Sequence, residues 1–160
     1  MKKWTLPLCL LVASTAAQAQ FEKGKWFVSP GLTGLNLSYD TGMDKASFGL
    51  NVKGGAFVLD NVALLIRAGM QWNEGASQDV YGIGVGARYY FDRVGIYLGA
   101  DVNVDRNTGA ITDDTKFSFG MDAGYAFFLS KTVSLEPGVY WNINGDRSKF
   151  GLQLGFGFYF

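Results

Sequence analysis

From residue 45 to the last position, large apolar side chains recur at every second residue. A period of two is that of an extended strand, whose successive side chains point to opposite faces. In 48–58, FGLNVKGGAFV, one face carries Phe48, Leu50, Val52, Gly54, Ala56 and Val58, and the other carries Gly49, Asn51, Lys53, Gly55 and Phe57. The scheme repeats over 62–72, 81–91, 94–104, 117–127, 133–141 and 150–160, and a less regular version spans 26–39. The pattern therefore predicts eight strands. Short turns follow the second, fourth and sixth of them, and longer connections fall at 40–44, 73–78, 105–114 and 142–149.

The distribution of charge decides what the two faces meet. No charged residue stands on the apolar face of any predicted strand, whereas the opposite face holds Lys53, Arg67, Arg88, Asp101, Asp122 and Glu136 together with many glycines. A water-soluble sandwich or closed barrel would put charge outside and bulk inside. Small residues sharing a face with charges fit a narrow polar lumen, and bulky residues then face lipid. Strands of about ten residues match the roughly 9–11 needed to cross a bilayer at a tilt. The fold class expected is all-β: an eight-stranded antiparallel transmembrane β-barrel with up-and-down meander connections. Closure leaves no unpaired backbone edge in hydrocarbon.

Aromatic residues fall at the strand ends. Phe48, Trp72, Tyr81, Phe117, Trp141 and Phe150 would form one rim; Trp26, Tyr89, Phe91, Phe127, Phe158 and Phe160 would form the other. Such girdles belong at membrane–water interfaces. With three short turns at the rim that also holds both ends of the barrel, the termini are expected on the periplasmic side. The final run, FGLQLGFGFYF, closes the barrel against the first strand.

Composition narrows the chemistry. Glycine is abundant at 22 residues, and aromatics make up 16% of the 160-residue chain, more than ordinary globular usage and far easier to place in strands than in helices. Lys2 and Lys3, the apolar stretch 6–13 and Ala17-Gln18-Ala19 read as a signal peptide over 1–19, with the barrel domain over 20–160. Cys9, the single cysteine, lies in that leader, and the chain has no histidine. Disulfides, thiolate chemistry, Ser-His catalysis and imidazole metal ligation drop out for the processed chain. Loss of Lys2 and Lys3 tips equal numbers of acids and bases to a slight acid excess, giving no electrostatic case for nucleic acid.

Several motifs have ordinary readings. Gly82-Ile-Gly-Val-Gly-Ala87 fits a dinucleotide fingerprint, but alternation continues through Arg88-Tyr-Tyr-Phe91 where a helix would be required. The inward glycines instead make room for long side chains opposite them. Asp101-Val-Asn-Val-Asp105 begins like a calcium loop, yet Arg106 and Thr112 stand where Gly and Glu are needed. Asp105, Asp113 and Asp114 could form a looser cation site, against the plainer reading of a solvated loop. No cofactor is expected. Pro30 and Pro137 each remove a ladder hydrogen bond and predict a bulge or a local break. The alternation also slips near Gly34, and a lateral opening toward lipid at the first strand is a hypothesis that follows.

The six interior charges are the main candidate site. Three bases, Lys53, Arg67 and Arg88, are balanced by three acids, Asp101, Asp122 and Glu136. An eight-stranded barrel is only wide enough for side chains to fill it. One reading is an ion-pair network that plugs the lumen, each charge paired because an isolated one is costly. The other is a narrow channel with these charges at its constriction.

The leader, the mature start QFEKGKWFVSPGLTGLNLSY, the alternating strands and the aromatic final strand ending in Phe160 resemble the small outer-membrane β-barrel proteins, the porin-family barrels grouped with OmpX and the OmpA membrane domain. The resemblance spans the whole processed chain. It implies a bacterial outer-membrane location reached by the general secretory route, and a structural or membrane-maintenance role without enzymatic activity. Its implied partners are outer-membrane lipid and lipopolysaccharide, with the barrel-assembly machinery and periplasmic chaperones during biogenesis. It also implies that Gly151, Phe156, Phe158 and Phe160 form the assembly signal and that the protein is a monomer. Long outer loops, which would favour adhesion, are missing from the sequence.

Overall fold

A computed structural model describes residues 21–33, 39–40, 47–73, 79–91, 94–108, 114–145 and 147–160. The expected leader, the slip near Gly34 and Asp113 of the loop cation site lie outside the described residues. Eight long strands follow one another: β1 Trp26–Thr33, β2 Ser47–Leu59, β3 Val62–Asn73, β4 Asp79–Tyr90, β5 Ile96–Thr108, β6 Asp114–Tyr125, β7 Val133–Asn144 and β8 Arg147–Tyr159. Two short segments, Tyr39–Asp40 and Phe127–Phe128, pair with β8 and β7 respectively.

Each strand is antiparallel to its sequence neighbour, and β8 pairs with both β7 and β1, so the sheet closes into a barrel. Closure is pinned at the ends of the chain, where Trp26 and Phe160 exchange both backbone hydrogen bonds, at 3.1 and 2.8 Å. The end of the barrel carrying these residues and the short turns is the turn end; the other is the loop end. Asn61 takes φ 67° in the β2–β3 turn, a conformation asparagine tolerates, and Gly95 takes φ 79° ahead of β5.

Side chains divide by face as the alternation predicts. Leu64, Ile66, Ile83, Val85, Leu98 and Val102 are all half or more exposed on the outer surface. Of the expected rim aromatics, Trp72, Tyr81, Phe117, Trp141 and Phe150 at the loop end and Trp26, Tyr89, Phe91, Phe127, Phe158 and Phe160 at the turn end are exposed on the outside; the side chain of Phe48 lies outside the described residues. The observed strands run past the expected ones at the loop end: β5 continues to Thr108, β6 starts at Asp114, and β7 and β8 meet at Asn144 and Arg147. Beyond the apolar band the sequence is mostly polar, Ile143 excepted, so backbone pairing persists where alternation along the chain no longer marks it.

Pro30 and Pro137 produce breaks without bulges. In an antiparallel pair, hydrogen-bonded partners recur every second residue. Counting by twos from Trp26–Phe160 brings the Pro30 nitrogen opposite the Phe156 carbonyl. Pairing is present at Val28–Phe158 and resumes at Gly31–Gly155 in the same register. The same count from the Leu129 to Val133 hydrogen bond brings the Pro137 nitrogen opposite the Tyr125 carbonyl; pairing stops at Gly124–Gly138 and resumes, again in register, at Phe127–Leu135. Each gap is what one missing N–H leaves behind. The single register shift among the described pairs of β2 and β3 lies at Phe57/Leu59, beside their turn.

Val85, at mid-height on β4, is 64% exposed on the outer face. Val85→Arg is expected to lower stability in phospholipid vesicles by about 2–4 kcal/mol, the cost of an arginine at the bilayer midplane. Val85→Leu should stay within about 0.5 kcal/mol of the parent. Urea unfolding followed by tryptophan fluorescence measures both.

Candidate functional site

The lumen is filled in three layers. At the turn end, Phe21, Phe27, Phe57, Tyr90, Tyr97 and Tyr159 are buried together with Ala63, Leu65 and Ala126. Phe21 comes from the segment ahead of β1 and stacks on Tyr90 with ring centroids 4.1 Å apart. It also approaches Phe57, Phe128 and Tyr159. Its backbone is held in place, because the Phe21 carbonyl accepts from Asn61 N–H at 2.8 Å and Gly24 N–H donates to the Phe57 carbonyl at 2.8 Å. Lys23 N–H donates to Asp60 Oδ1 at 2.9 Å.

The middle layer is ionic. Arg88, on β4, donates through Nη2 to Asp122 Oδ2 on β6 at 2.9 Å and through Nη1 to Glu136 Oε2 on β7 at 3.0 Å. Lys53, on β2, meets the same Asp122 oxygen at 3.2 Å. All four side chains are almost entirely shielded from solvent. The Arg88 guanidinium lies 4.0 Å from the Tyr97 ring centroid, a cation–π contact, and donates to Tyr90 Oη at 3.2 Å. Glu136 also accepts from Tyr159 Oη at 2.7 Å, Ser134 Oγ at 3.0 Å and Ser29 Oγ at 3.4 Å. Gln153 Nε2 donates to Asp122 at 3.3 Å. Burying carboxylates at this depth is sustainable because their lone pairs find charged or hydroxyl donors.

Toward the loop end, Arg67 Nη1 bonds both oxygens of Asp101 at 3.2 Å, and Asn103 Nδ2 donates to Asp101 Oδ2 at 2.5 Å. Ser118 Oγ donates to Asp105 at 2.5 Å. Arg67, Asn103, Asp105 and Ser118 line a cavity of about 100 Å³ with Thr33, Asn51 and Asn142. Deeper, among Ser29, Lys53, Arg88, Glu136 and Gln153, the remaining space is only about 10 Å³, close to the minimum for one water molecule. Among the described residues, Asn51 Nδ2, Arg88 Nε and Asn142 Oδ1 are buried without a partner, and all three residues border one of these two cavities.

Glycines explain how such long side chains fit. A Cβ at Gly99 would stand 2.5 Å from Asp122 Oδ1; at Gly82, 2.5 Å from Asp105 Oδ1; at Gly151, 2.7 Å from Tyr140 Oη. Each glycine is directly paired with the residue whose side chain covers it, Gly82 with Asp105, Gly99 with Asp122 and Gly151 with Tyr140. The same holds for Gly124 beneath the Tyr97 hydroxyl. The lumen side chains therefore lie across the neighbouring strand, on the track that its glycines leave open.

All six expected lumen charges, Lys53, Arg67, Arg88, Asp101, Asp122 and Glu136, point inward, and they form two groups. Arg67 with Asp101 forms the upper pair, and the other four make the lower cluster. Of the expected assembly residues, Gly151 faces the lumen and Phe156, Phe158 and Phe160 face outward on or just past β8. Phe21 was not among the expected lumen residues. Its signal is a lone aromatic in the polar run Gln20 to Lys25, which the period of two leaves unassigned.

A closed antiparallel barrel with an apolar exterior, aromatic rims and a charged interior defines a transmembrane β-barrel. The family model described as the outer membrane protein beta-barrel domain matches residues 5–160, and the chain belongs to that family of bacterial outer-membrane proteins. Among solved structures, it is similar to neisserial surface protein A, with 18% identity, a TM-score of 0.68, and coverage of 85% of this chain and 97% of that one. It is also similar to the N-terminal β-barrel domain of Pseudomonas aeruginosa OprF, at 14% identity, TM-score 0.64, and coverage of 86% and 98%. Yersinia pestis Ail gives 13% identity, TM-score 0.60, and coverage of 86% and 100%. At these identities the likeness is one of fold. A comparison with curated protein sequences finds no match.

Two substitutions probe the interior. Arg88→Met strands Asp122 and Glu136 without their shared cation and is expected to cost about 3–5 kcal/mol, measured by urea unfolding in vesicles. Gly99→Ala forces Asp122 off its track and is expected to lower the unfolding midpoint. Gly54→Ala, whose Cβ would meet only the Phe27 carbonyl at 4.0 Å, should leave the midpoint within experimental scatter.

Proposed function

We propose that the protein is a structural or membrane-maintenance component of the bacterial outer membrane whose lumen is plugged. The observation that carries this reading is the pair of stacked layers. An aromatic layer seals the turn end, and an ion-pair layer above it leaves only about 10 Å³ between Ser29, Lys53, Arg88 and Glu136. A conducting path needs a continuous hydrated column, and two dense layers in series oppose one. In this reading the six interior charges, Lys53, Arg67, Arg88, Asp101, Asp122 and Glu136, tie the strands to one another across the lumen, and no catalytic step is assigned to them. The chain is exported through the general secretory route, loses residues 1–19 in the process, and works as a monomer with its turn end toward the periplasm. Its exterior is in contact with lipid and lipopolysaccharide. Gly151, Phe156, Phe158 and Phe160 present the assembly signal to the barrel-assembly machinery after periplasmic chaperones deliver the chain.

One observation favours a second reading, a narrow channel for ions or small solutes. The cavity of about 100 Å³ beneath the loop end is lined by Arg67, Asp105, Asn103 and Asn142 and resembles the mouth of a pore. Planar-bilayer recording of protein extracted from outer membranes separates the two. The plugged reading expects no discrete steps from protein that is folded and inserted. Steps in the parent protein, altered in size by Arg88→Ala, would establish the channel instead.

A further inference from the structure

The two proline breaks lie on opposite edges of one hairpin. Pro30 deletes a hydrogen bond between β1 and β8, and Pro137 deletes one between β7 and β6. Between these edges, β7 and β8 pair without interruption from Arg147–Asn144 to Phe158–Val133. The breaks are also at nearly the same height. The Pro30 gap falls at Phe156, which pairs with Leu135, two residues from Pro137. An internally intact hairpin is thus joined to the rest of the wall by two seams, each nicked at one level.

Interior contacts take over at that level. Glu136 on β7 is held by Arg88 on β4 at 3.0 Å and accepts from Ser29 on β1 at 3.4 Å. Tyr159, the last residue of β8, lies 3.4 Å from Tyr90 of β4, hydroxyl to hydroxyl, and stacks on Phe27 of β1. Gln153 on β8 reaches Asp122 on β6 at 3.3 Å. The seam beside Pro30 is thin: Ser29, Gly31, Leu154 and Gly155 line the small cavity together with Lys53, Arg88 and Glu136. At this place a residue of the outer face and the buried ion pairs border the same space.

We propose that the β7–β8 hairpin is a hatch in the barrel wall: a unit that parts from β1 and β6 together, ahead of any other pair of seams, with Arg88–Glu136 as its clasp. Among the described residues the other seams carry no proline gap, their one irregularity being the shift at Phe57/Leu59 beside the β2–β3 turn, whereas this hairpin substitutes side-chain contacts for the bonds that two prolines remove. Opening separates Glu136 from Arg88 and gives a lumen closed at the turn end an exit sideways into lipid. This inference does not depend on whether the closed barrel conducts.

Native-state amide exchange of the protein in phospholipid vesicles, resolved by residue, tests it. Amides flanking both gaps, those of Val28, Phe156, Phe127 and Leu135, should exchange roughly tenfold faster than those at mid-height on the β3–β4 seam, as expected for the loss of a ladder bond on each edge. Pro30→Val restores a donor on one seam only, yet should slow exchange at both, because the hairpin moves as one. Glu136→Gln should speed both. If that variant does not fold, Pro30→Val and Pro137→Val still decide the matter. Equal exchange at these seams and at β3–β4, or a Pro30→Val effect confined to its own seam, overturns the proposal.

Discussion

Arg88 is the point at which the interior is tied together. From β4 it crosses the lumen and splits its guanidinium between carboxylates on β6 and β7, while its face lies over Tyr97 of β5. The planar fork of arginine suits this task, because two acids on different strands can be held at once with fixed geometry. A lysine in its place would offer a point charge and no stacking face. The acids it holds are in turn held by others: Lys53 and Gln153 on Asp122, and Tyr159, Ser134 and Ser29 on Glu136. Six of the seven strands other than β4, namely β1, β2, β5, β6, β7 and β8, thereby touch one connected set of contacts around Arg88 at a level where the backbone alone fixes only nearest neighbours.

That network has room only because its neighbours give up theirs. An eight-stranded barrel encloses little more than its own inward side chains, so the long residues lie flat across glycines of the adjacent strand. The rule is local, one cross-strand pair at a time, and it links composition to architecture. Inward glycine is placed opposite inward Asp, Asn or Tyr, as at Gly82–Asp105, Gly84–Asn103 and Gly124–Tyr97. A register slip of two residues would keep every side chain on its proper face and still destroy the fit.

This also marks the boundary of what the sequence makes legible. Facing could be read directly, since a charge such as Asp122 or Glu136 recurring with period two among lipid-facing neighbours has only one side on which to stand. The presence of eight strands followed, as did the disturbance at each proline. Which acid meets which base was not legible, because pairing across a lumen depends on the stagger of the closed ladder and not on spacing along any strand. The division into an Arg67–Asp101 pair and a lower four-residue cluster needed that stagger. Phe21 escaped for a different reason: it belongs to no strand, and its place at the mouth is set by backbone hydrogen bonds to the β2–β3 turn. The strand ends beyond the lipid band were underestimated because the sequence there is mostly polar and loses its alternation.

The separation of the two faces extends to the chromophores. Trp26, Trp72 and Trp141 all point outward, two of them at the loop end and one at the turn end, whereas Tyr90, Tyr97 and Tyr159 are sealed in the lumen. Indole emission from the folded barrel therefore originates at the two bilayer surfaces, and the interior adds only phenolic absorbance. Collisional quenchers placed at graded depths in the acyl chains sample the outside of this molecule alone, so its position in the membrane and the state of its core are optically independent quantities.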